Sequence, residues 1–491
     1  MKIIRAADPE PSDPMEKEWK YNGLDCIVTY EVLEALLPQR DEYTARTYEF
    51  SKALQAPALE MRLRGVLVDQ ARKAEVIDDY YDKIEILNRN LERIVLDGVR
   101  LPGFNWRSNA DLQRLFYDTL QIPVIRKNGR PTVNRDALEK MEAYLIARQI
   151  VKHITGMRDL QKKIDVLRTE IDPDGRIRTS YNIAGTSTGR FSSSFSEFGT
   201  GGNLQNIEEN LRSIFIADPG MKFAKFDAKS GESFVVGAIE WNLFNDGAYL
   251  EACESGDPHT ATARICWPRL AWTGNLKLDK DIAEQPYYRH YTYRFMCKKL
   301  GHGSNYGGKA QTLSAQAKLP LSVVQEFQPK YFRAFPAHLR WQAHVDAELR
   351  RTGTLISLTG RKRQFWGRRN DDATLREAIA YDPQCSLAEI VNNAMLNIWR
   401  ARDADLMMHD HDALTIQYPE DREAEIIPKI MKQLEYPIQL KHGRTLLIPY
   451  DCKTGWNRGD WSKTNPDGLK DFHGYDPRNR TPRRHILDRR G

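Results

Sequence analysis

The stretch MKFAKFDAKSGES, residues 221–233, decides how this chain is read. MKFAKFD reads as an amphipathic strand that ends on an acid, Asp227. Glu232 follows five residues later, past a Lys-Ser-Gly bend. A carboxylate at a strand end is held rigidly and suits a hard cation. The plainer reading is an Asp that caps the next helix. This stretch alone leaves both open.

A second acidic turn lies far downstream in LMMHDHDALTIQY, residues 406–418. It reads as two strands around a sharp turn, with Leu414, Ile416 and Tyr418 alternating with polar residues. The hairpin tip places Asp412 at a sheet edge beside His411. Carboxylates from two strands could together hold two Mg²⁺ ions about 3.5–4 Å apart, as in-line phosphoryl transfer requires. Mg²⁺ takes oxygen ligands and keeps waters, so few protein carboxylates suffice. Zinc on His409 and His411 is the rival, but no Cys or third His is placed to complete its ligand set.

The third element is RFMCKKLGHGSNYGG, residues 294–308. Arg294, Lys298, His302 and Tyr306 recur every four residues. On a helix that spacing drifts about 40° per step, so all four share one broad face. Guanidinium, ammonium, imidazole and phenol together suit a triphosphate and a stacked base. An ordinary solvated basic face is the alternative. Each glycine weakens a helix by about 1 kcal/mol relative to alanine, so the glycines here point to close backbone approach or a hinge. The chain has no GxxxxGK[ST] loop, which counts against a P-loop ATPase.

The whole chain, 491 residues with 41% hydrophobic and 29% charged residues, has globular composition and a length that predicts about two to four domains. Its net charge of +6 permits a polyanionic partner without requiring one. No stretch approaches the roughly 20 apolar residues of a spanning helix, so no membrane partner is expected. MKIIRAADPEPSDP turns polar too early for a signal peptide. The cysteines, at 26, 253, 266, 297, 385 and 452, form no CxxC pair; a reduced, cytoplasmic compartment is expected. Residues from about 41 to 170 read as nearly all helical, interrupted by RKNGRPTVN as a basic loop. In the first segment, Ile27, Tyr30, Leu33 and Leu36 fall at helical spacing.

Taken in chain order, several segments resemble one family. They are TSTGRFSSS, NLQNIEENLRSIFIADPGMKFAKFDAKSGES, the Arg-x3-Lys-x3-His-Gly-x2-Tyr-Gly run, YDPQCSLAEIVNNAM, HDALTIQY and IPYDCKTGWNRGDW. They resemble the motifs of the DNA polymerase I family (family A), most closely its phage-type members. The match covers about residues 20–463, and the ordered set is far more specific than any one motif. It implies an α+β right-hand fold with an antiparallel palm sheet, helical fingers and a long-helix thumb. The implied division is a 3′–5′ exonuclease remnant (1–40), thumb and connecting helices (41–170), first palm part (171–241), fingers (242–385), second palm part (386–463) and a basic C-terminal tail (464–491).

The resemblance also implies roles by position. Asp227 and Asp412 would hold two Mg²⁺ ions, with Mn²⁺ as a substitute. Lys298 and Arg294 would contact the triphosphate, Lys298 as proton donor to the leaving pyrophosphate, with His259 near the phosphates. Glu232 would press on the sugar 2′ position, beside His302, and Tyr306 would guard the nascent pair. Arg190, Gln384 and His411 would hold the primer-template near its growing end, and Asn203, Gln205 and Asn206 would lie on a template-facing loop. The implied partners are primer-template DNA, dNTPs and other replication proteins, with the chain a monomer in phage DNA replication.

Three positions depart from the family pattern. His302 replaces the usual Phe or Tyr, Ala380 stands where Asn is common, and Ala413 where Glu commonly follows the catalytic Asp. The doublet HDHD leaves two registers, because a two-step slip preserves strand faces; the His411-Asp412 register keeps the following strand in phase. A single-subunit RNA polymerase is disfavoured by Glu232, and an inactive DNA-binding subunit by the presence of both acids. A nuclease centred on Tyr21 and Asp25, in YNGLD, lacks further carboxylates from strands, so no proofreading activity is expected of this chain.

Overall fold

The computed structural model of the chain describes residues 13–196 and 199–472. The Arg-rich stretch from 473 onward, the larger part of the expected tail, lies outside the described residues.

Helix α1 (Pro14–Leu36) starts where Asp13 accepts from the Met15 amide and Pro14 takes the first helical position, where its missing N–H costs no hydrogen bond. The expected helix therefore forms. It buries no residue, however: its apolar side chains, among them Trp19, Val28, Tyr30 and Val32, are exposed and spread around the axis rather than along one stripe.

Helix α2 (Glu42–Arg64) sends Leu54, Ala58 and Met61 into the main core. Helices α3 (Gln70–Arg93) and α4 (Leu145–Leu167) pack on each other around a second core. Tyr80, Ile84 and Leu91 of α3 join Ile150, Ile154 and Met157 of α4 there, at the three- and four-residue spacing of an apolar helical stripe. Between them RKNGRPTVN is a β-hairpin rather than a loop. Arg126–Lys127 pairs with Arg130–Pro131, and Asn128 and Gly129 both take positive φ. That is the turn Asn-Gly favours between antiparallel strands.

Strand β1 (Met221–Ala228) is followed by α5 (Gly231–Phe244), α6 (Ala248–Glu254) and α7 (Pro258–Cys266). Next come α8 (Tyr293–Met296), a π-helical turn at Cys297–Gly301, and α9 (His302–Asn305). Then follow α10 (Leu321–Ala334), α11 (Ala337–Thr352) and the long α12 (Asp372–Ala401). Strands β2 (Asp405–Asp410), β3 (Ala413–Pro419), β4 (Tyr450–Gly455) and β5 (Lys470–Asp471) complete the central sheet. Its order is β2-β3-β1-β4-β5, antiparallel throughout.

Alternation divides the sheet. Ala224, Phe226 and Ala228 of β1, with Leu414, Ile416 and Tyr418 of β3, enter the main core with residues of α5 and α12. Phe223 enters the second core on the other face, and Lys225 and Asp227 share that face further along the strand. β5 pairs with β4 and Leu469 is buried, so the first residues of the expected basic tail reach the edge of the sheet, most of them exposed there. Among the described residues no helix is long and apolar enough to cross a membrane.

Candidate active site

Asp227 is the last acid of β1, and its register partner on β3 is Ala413. Asp412 is the residue before Ala413, in a two-residue turn closed by the Asp410–Ala413 pair. The Ala228 amide donates to the Asp412 carbonyl at 3.0 Å, so the turn is tied to the end of β1. His411 holds φ at 58°, a left-handed conformation that costs a non-glycine residue about 1 kcal/mol and marks functional turns often enough to notice. Asp412 is exposed at the turn. Even so, the protein around it partly desolvates its carboxylate and raises its pKa, and the neighbouring Asp227 charge raises it further.

Asp410 has a different environment. It is ion-paired with Arg458, which is nearly fully buried. His409 is fully buried, hydrogen-bonded through Nε2 to Asn392 Oδ1 at 2.8 Å and stacked on Phe191 at 4.5 Å. The HDHD doublet thus splits into an inner pair bound into the protein and an outer pair at the tip. On the other side of Asp227 the register partner is Asp451. A charged cavity of about 210 Å³ opens here, bounded by Arg212, Lys225, Asp227, Asp451 and Lys453.

The Lys-Ser-Gly bend turns the chain from β1 into α5. Ser230 takes a left-handed φ of 53°, and its carbonyl accepts from the Ser233 amide. Gly231 packs closely, since a Cβ there would sit 2.5 Å from a terminal methyl of Leu387 of α12 and displace it. The bend delivers Glu232 in the first turn of α5, where its carboxylate accepts from Arg190 through Oε1 and from the Tyr306 hydroxyl through Oε2. His302 Nε2 lies 3.9 Å from the same Oε2 and packs edge-on against the Tyr306 ring. Arg190 is steadied by the Thr186 hydroxyl on its carbonyl at 2.8 Å and by Asn392, which donates to the Gly189 carbonyl.

Arg294, Lys298, His302 and Tyr306 do lie along one helical segment, but not on a regular α-helix. The π-helical turn at Cys297–Gly301 intervenes, a distortion frequent at functional sites. Gly303 lets α9 approach its neighbour: a Cβ there would meet Leu313 at 2.4 Å. Arg294 is no free cation, since its Nε lies 2.9 Å from Asp257 Oδ2 and its Nη1 3.4 Å from Glu284. Lys298 is exposed and shows no ion pair among the described residues. His259 sits at the start of α7, behind the Asp257 cap. Burial pushes its pKa down to about 4, against the pull of Asp257, so its ring is neutral at physiological pH.

The expected template-side residues form a short shelf. Asn203 caps the turn Leu204–Asn206 through a 3.2 Å bond from the Asn206 amide, and accepts from Ser193 at 2.5 Å. Gln205 donates to the His409 carbonyl at 3.0 Å, linking the shelf to the acidic hairpin. Gln384 is half-buried on α12, after Pro383. Nearby Asp382 accepts from the Leu358 amide and Ser386, and burial raises its pKa to about 6. Sequence reasoning missed Asn392, Arg458 and Asp257. Asn392 lies within the quoted YDPQCSLAEIVNNAM, but its partners His409 and Gly189 are remote in sequence.

The donors suit a hard divalent cation. Asp227 and Asp412 offer oxygen at adjoining strand ends, and their mutual repulsion is what a shared cation would relieve. Among the described residues no group of three His, Cys, Asp or Glu side chains is gathered for a metal, so waters or substrate oxygens would complete the shell, as Mg²⁺ prefers.

An antiparallel sheet with two acids at its rim, a helical region carrying the Lys298–Tyr306 segment, and a pair of long helices make up the architecture of the right-hand polymerases. The chain is similar to the POL domain of Pol1 from M. smegmatis, solved in complex with DNA primer-template and dNTP, with a TM-score of 0.66 and 22% identity over 82% of this chain and 69% of that one. The family model for DNA polymerase family A matches residues 74–462, and the chain belongs to that family. It is 27% identical to the thermostable DNA polymerase I of Thermus aquaticus over 84% of this chain and 48% of that protein. It is also 27% identical to DNA polymerase I of Chloroflexus aurantiacus over 92% and 47%. The chain spans about half the length of the curated relatives it matches.

Proposed function

We propose that this chain is a template-directed DNA polymerase that adds dNTPs to a primer 3′-hydroxyl. The observation that supports this reading is the meeting of Asp227 and Asp412 at adjoining strand ends, with Glu232 bonded to Tyr306 and Arg190 at the start of the helix that follows β1. The primer hydroxyl oxygen attacks the α-phosphorus of the dNTP, the α–β phosphoanhydride breaks, and pyrophosphate leaves. Mg²⁺, or Mn²⁺ in its place, would be held by Asp227 and Asp412 and would supply charge neutralisation and activation of the attacking oxygen.

The remaining groups position the substrates. Lys298, exposed, neutralises the triphosphate and gives a proton to the departing pyrophosphate. Arg294 reaches the same phosphates while held by Asp257, and neutral His259 donates a hydrogen bond nearby. Glu232, fixed by Arg190 and Tyr306, fills the space a ribose 2′-hydroxyl would need, with His302 at its edge. Arg190, His411, Gln384 and the Asn203–Asn206 shelf face the primer-template.

Primer extension with single dNTPs on a defined template tests the reading. Templated incorporation dependent on a divalent cation is expected. Binding of primer-template without any extension would leave a DNA-binding protein instead. We also infer, from the motif resemblance alone, phage DNA replication as the setting, other replication proteins as partners, and a monomer.

A further inference from the structure

Behind the cleft lies a polar chain that the proposed chemistry does not use. Glu240 of α5 and His338 of α11 are both 0% exposed, and Glu240 Oε1 bonds His338 Nδ1. His338 Nε2 lies 3.1 Å from the Tyr331 hydroxyl of α10. That hydroxyl donates to Asn305 Oδ1 of α9 at 2.7 Å, and Asn305 Nδ2 donates to the Tyr249 hydroxyl of α6 at 3.1 Å. Since Tyr331 donates to Asn305, it accepts from His338, so His338 Nε2 is the donor in that bond. Tyr249 and Phe335 close around the imidazole, with ring centroids 4.5 and 5.5 Å away.

Apolar side chains of similar volume would fill this space without the cost of burying ionisable groups. What the polar chain adds is direction, since each bond demands a particular partner at a particular angle. Its two ends are informative. Glu240 lies on the same helix as Glu232, and Asn305 immediately precedes Tyr306. The end of α9 is strapped further by Gln342, which donates to the Ser304 and Asn305 carbonyls at 2.9 and 3.0 Å, and by Gln328, which donates to the Gly308 carbonyl at 2.8 Å. The helices that meet in front through Glu232 and Tyr306 are therefore joined again behind.

We propose that His338 and Tyr331 are positioning residues for the incoming nucleotide, holding α9 against α5 so that Tyr306 stays seated on Glu232. The inference rests on the polymerase reading for its kinetic consequence, but the clamp itself can be read without any substrate.

His338→Ala would empty an aromatic cage and risks the fold, so the test uses Tyr331→Phe, which removes one oxygen. Amide hydrogen exchange on the purified chain is the first arm. The amides of Gly307 and Gly308 should exchange at least about tenfold faster in the variant, with those of Phe234–Val236 in α5 unchanged. Equal exchange in both proteins, or a uniform rise along the whole chain, overturns the clamp. The second arm is steady-state extension. The dNTP KM should rise about fivefold or more with kcat within about twofold, and the effect should vanish in a Tyr306→Phe background, as coupled residues require. Additive effects of the two substitutions overturn the positioning role. Should the unsubstituted chain extend no primer, the polymerase reading falls, while the exchange arm still decides the clamp.

Discussion

The Tyr306 hydroxyl donates to Glu232, joining residues 74 apart in sequence and seating the end of one helix on the start of another. Arg190 holds the other oxygen of the same carboxylate. Glu232→Ala should therefore remove a steric block and release two partners at once. Selectivity for dNTP over rNTP should fall at least about tenfold, with a loss of overall rate. Glu232→Gln keeps an acceptor for Tyr306 and loses the charge facing Arg190, so its selectivity should fall less. Steady-state comparison of the paired nucleotides checks this, and unchanged selectivity in Glu232→Ala takes Glu232 out of the sugar site.

Asp227→Ala and Asp412→Ala should each abolish extension and leave primer-template binding intact. Because the two carboxylates repel, Mg²⁺ should raise the melting temperature of the unsubstituted chain, by binding the folded state alone, and should fail to do so in either variant. Asp410 needs separate treatment. Asp410→Ala would strand the buried Arg458 charge, a loss of about 3–5 kcal/mol, so an inactive Asp410→Ala would report unfolding rather than chemistry. Asp410→Asn retains an acceptor and should keep substantial activity. A folded but inactive Asp410→Asn would move the metal site to the inner acid.

Lys298 and Arg294 should separate kinetically. Among the described residues Lys298 has no ion pair to lose, so Lys298→Ala should lower kcat by about 10²-fold or more with little change in melting temperature. Arg294→Ala also breaks the contacts with Asp257 and Glu284. It should raise the dNTP KM and lower thermal stability together. Equal melting temperatures for the two variants would mean that the Asp257 pair carries no structural weight.

Asp382 gives a pH dependence of stability. Burial raises its folded pKa to about 6 from an ordinary 3.8, so the folded state holds the proton more tightly than the unfolded chain. Its contribution is most favourable at low pH, declines between about pH 4 and 6, and is flat above. Asp382→Asn removes this decline. The variant should match the unsubstituted chain at pH 4 and exceed it by about 1–3 kcal/mol at pH 8, measured by urea denaturation. A constant difference across that range would assign the effect to something other than this carboxyl.

Deleting residues 473–491 removes Arg478, Arg480, Arg483, Arg484, Arg489 and Arg490. If these neutralise DNA phosphates, the salt dependence of primer-template affinity should flatten. An unchanged slope would leave the segment without a part in DNA binding.

Local chemistry was enough to read the strand ending on Asp227, the hairpin at 405–419, the helical segment from Arg294 to Tyr306 and the family itself, because each rests on a short-range period or an ordered motif. Composition alone does not show that residues 470–471 find a pairing partner on β4, and the Asn-Gly turn at 128–129 makes a hairpin of a segment whose basic composition suggests a loop. The choice between Asp410 and Asp412 could not come from alternation, since residues two apart on a strand face the same way. Their surroundings differ through Arg458, 48 residues further on, which pairs with the inner acid, while the outer one lies in the turn beside the end of β1. The same holds for Arg294, whose charge is met by Asp257, 37 residues earlier, and for Glu232, whose partners come from both sides of it in the chain. Periodicity reports which face a side chain occupies; which group it meets there depends on how distant segments are brought together, and only the tertiary structure decides that.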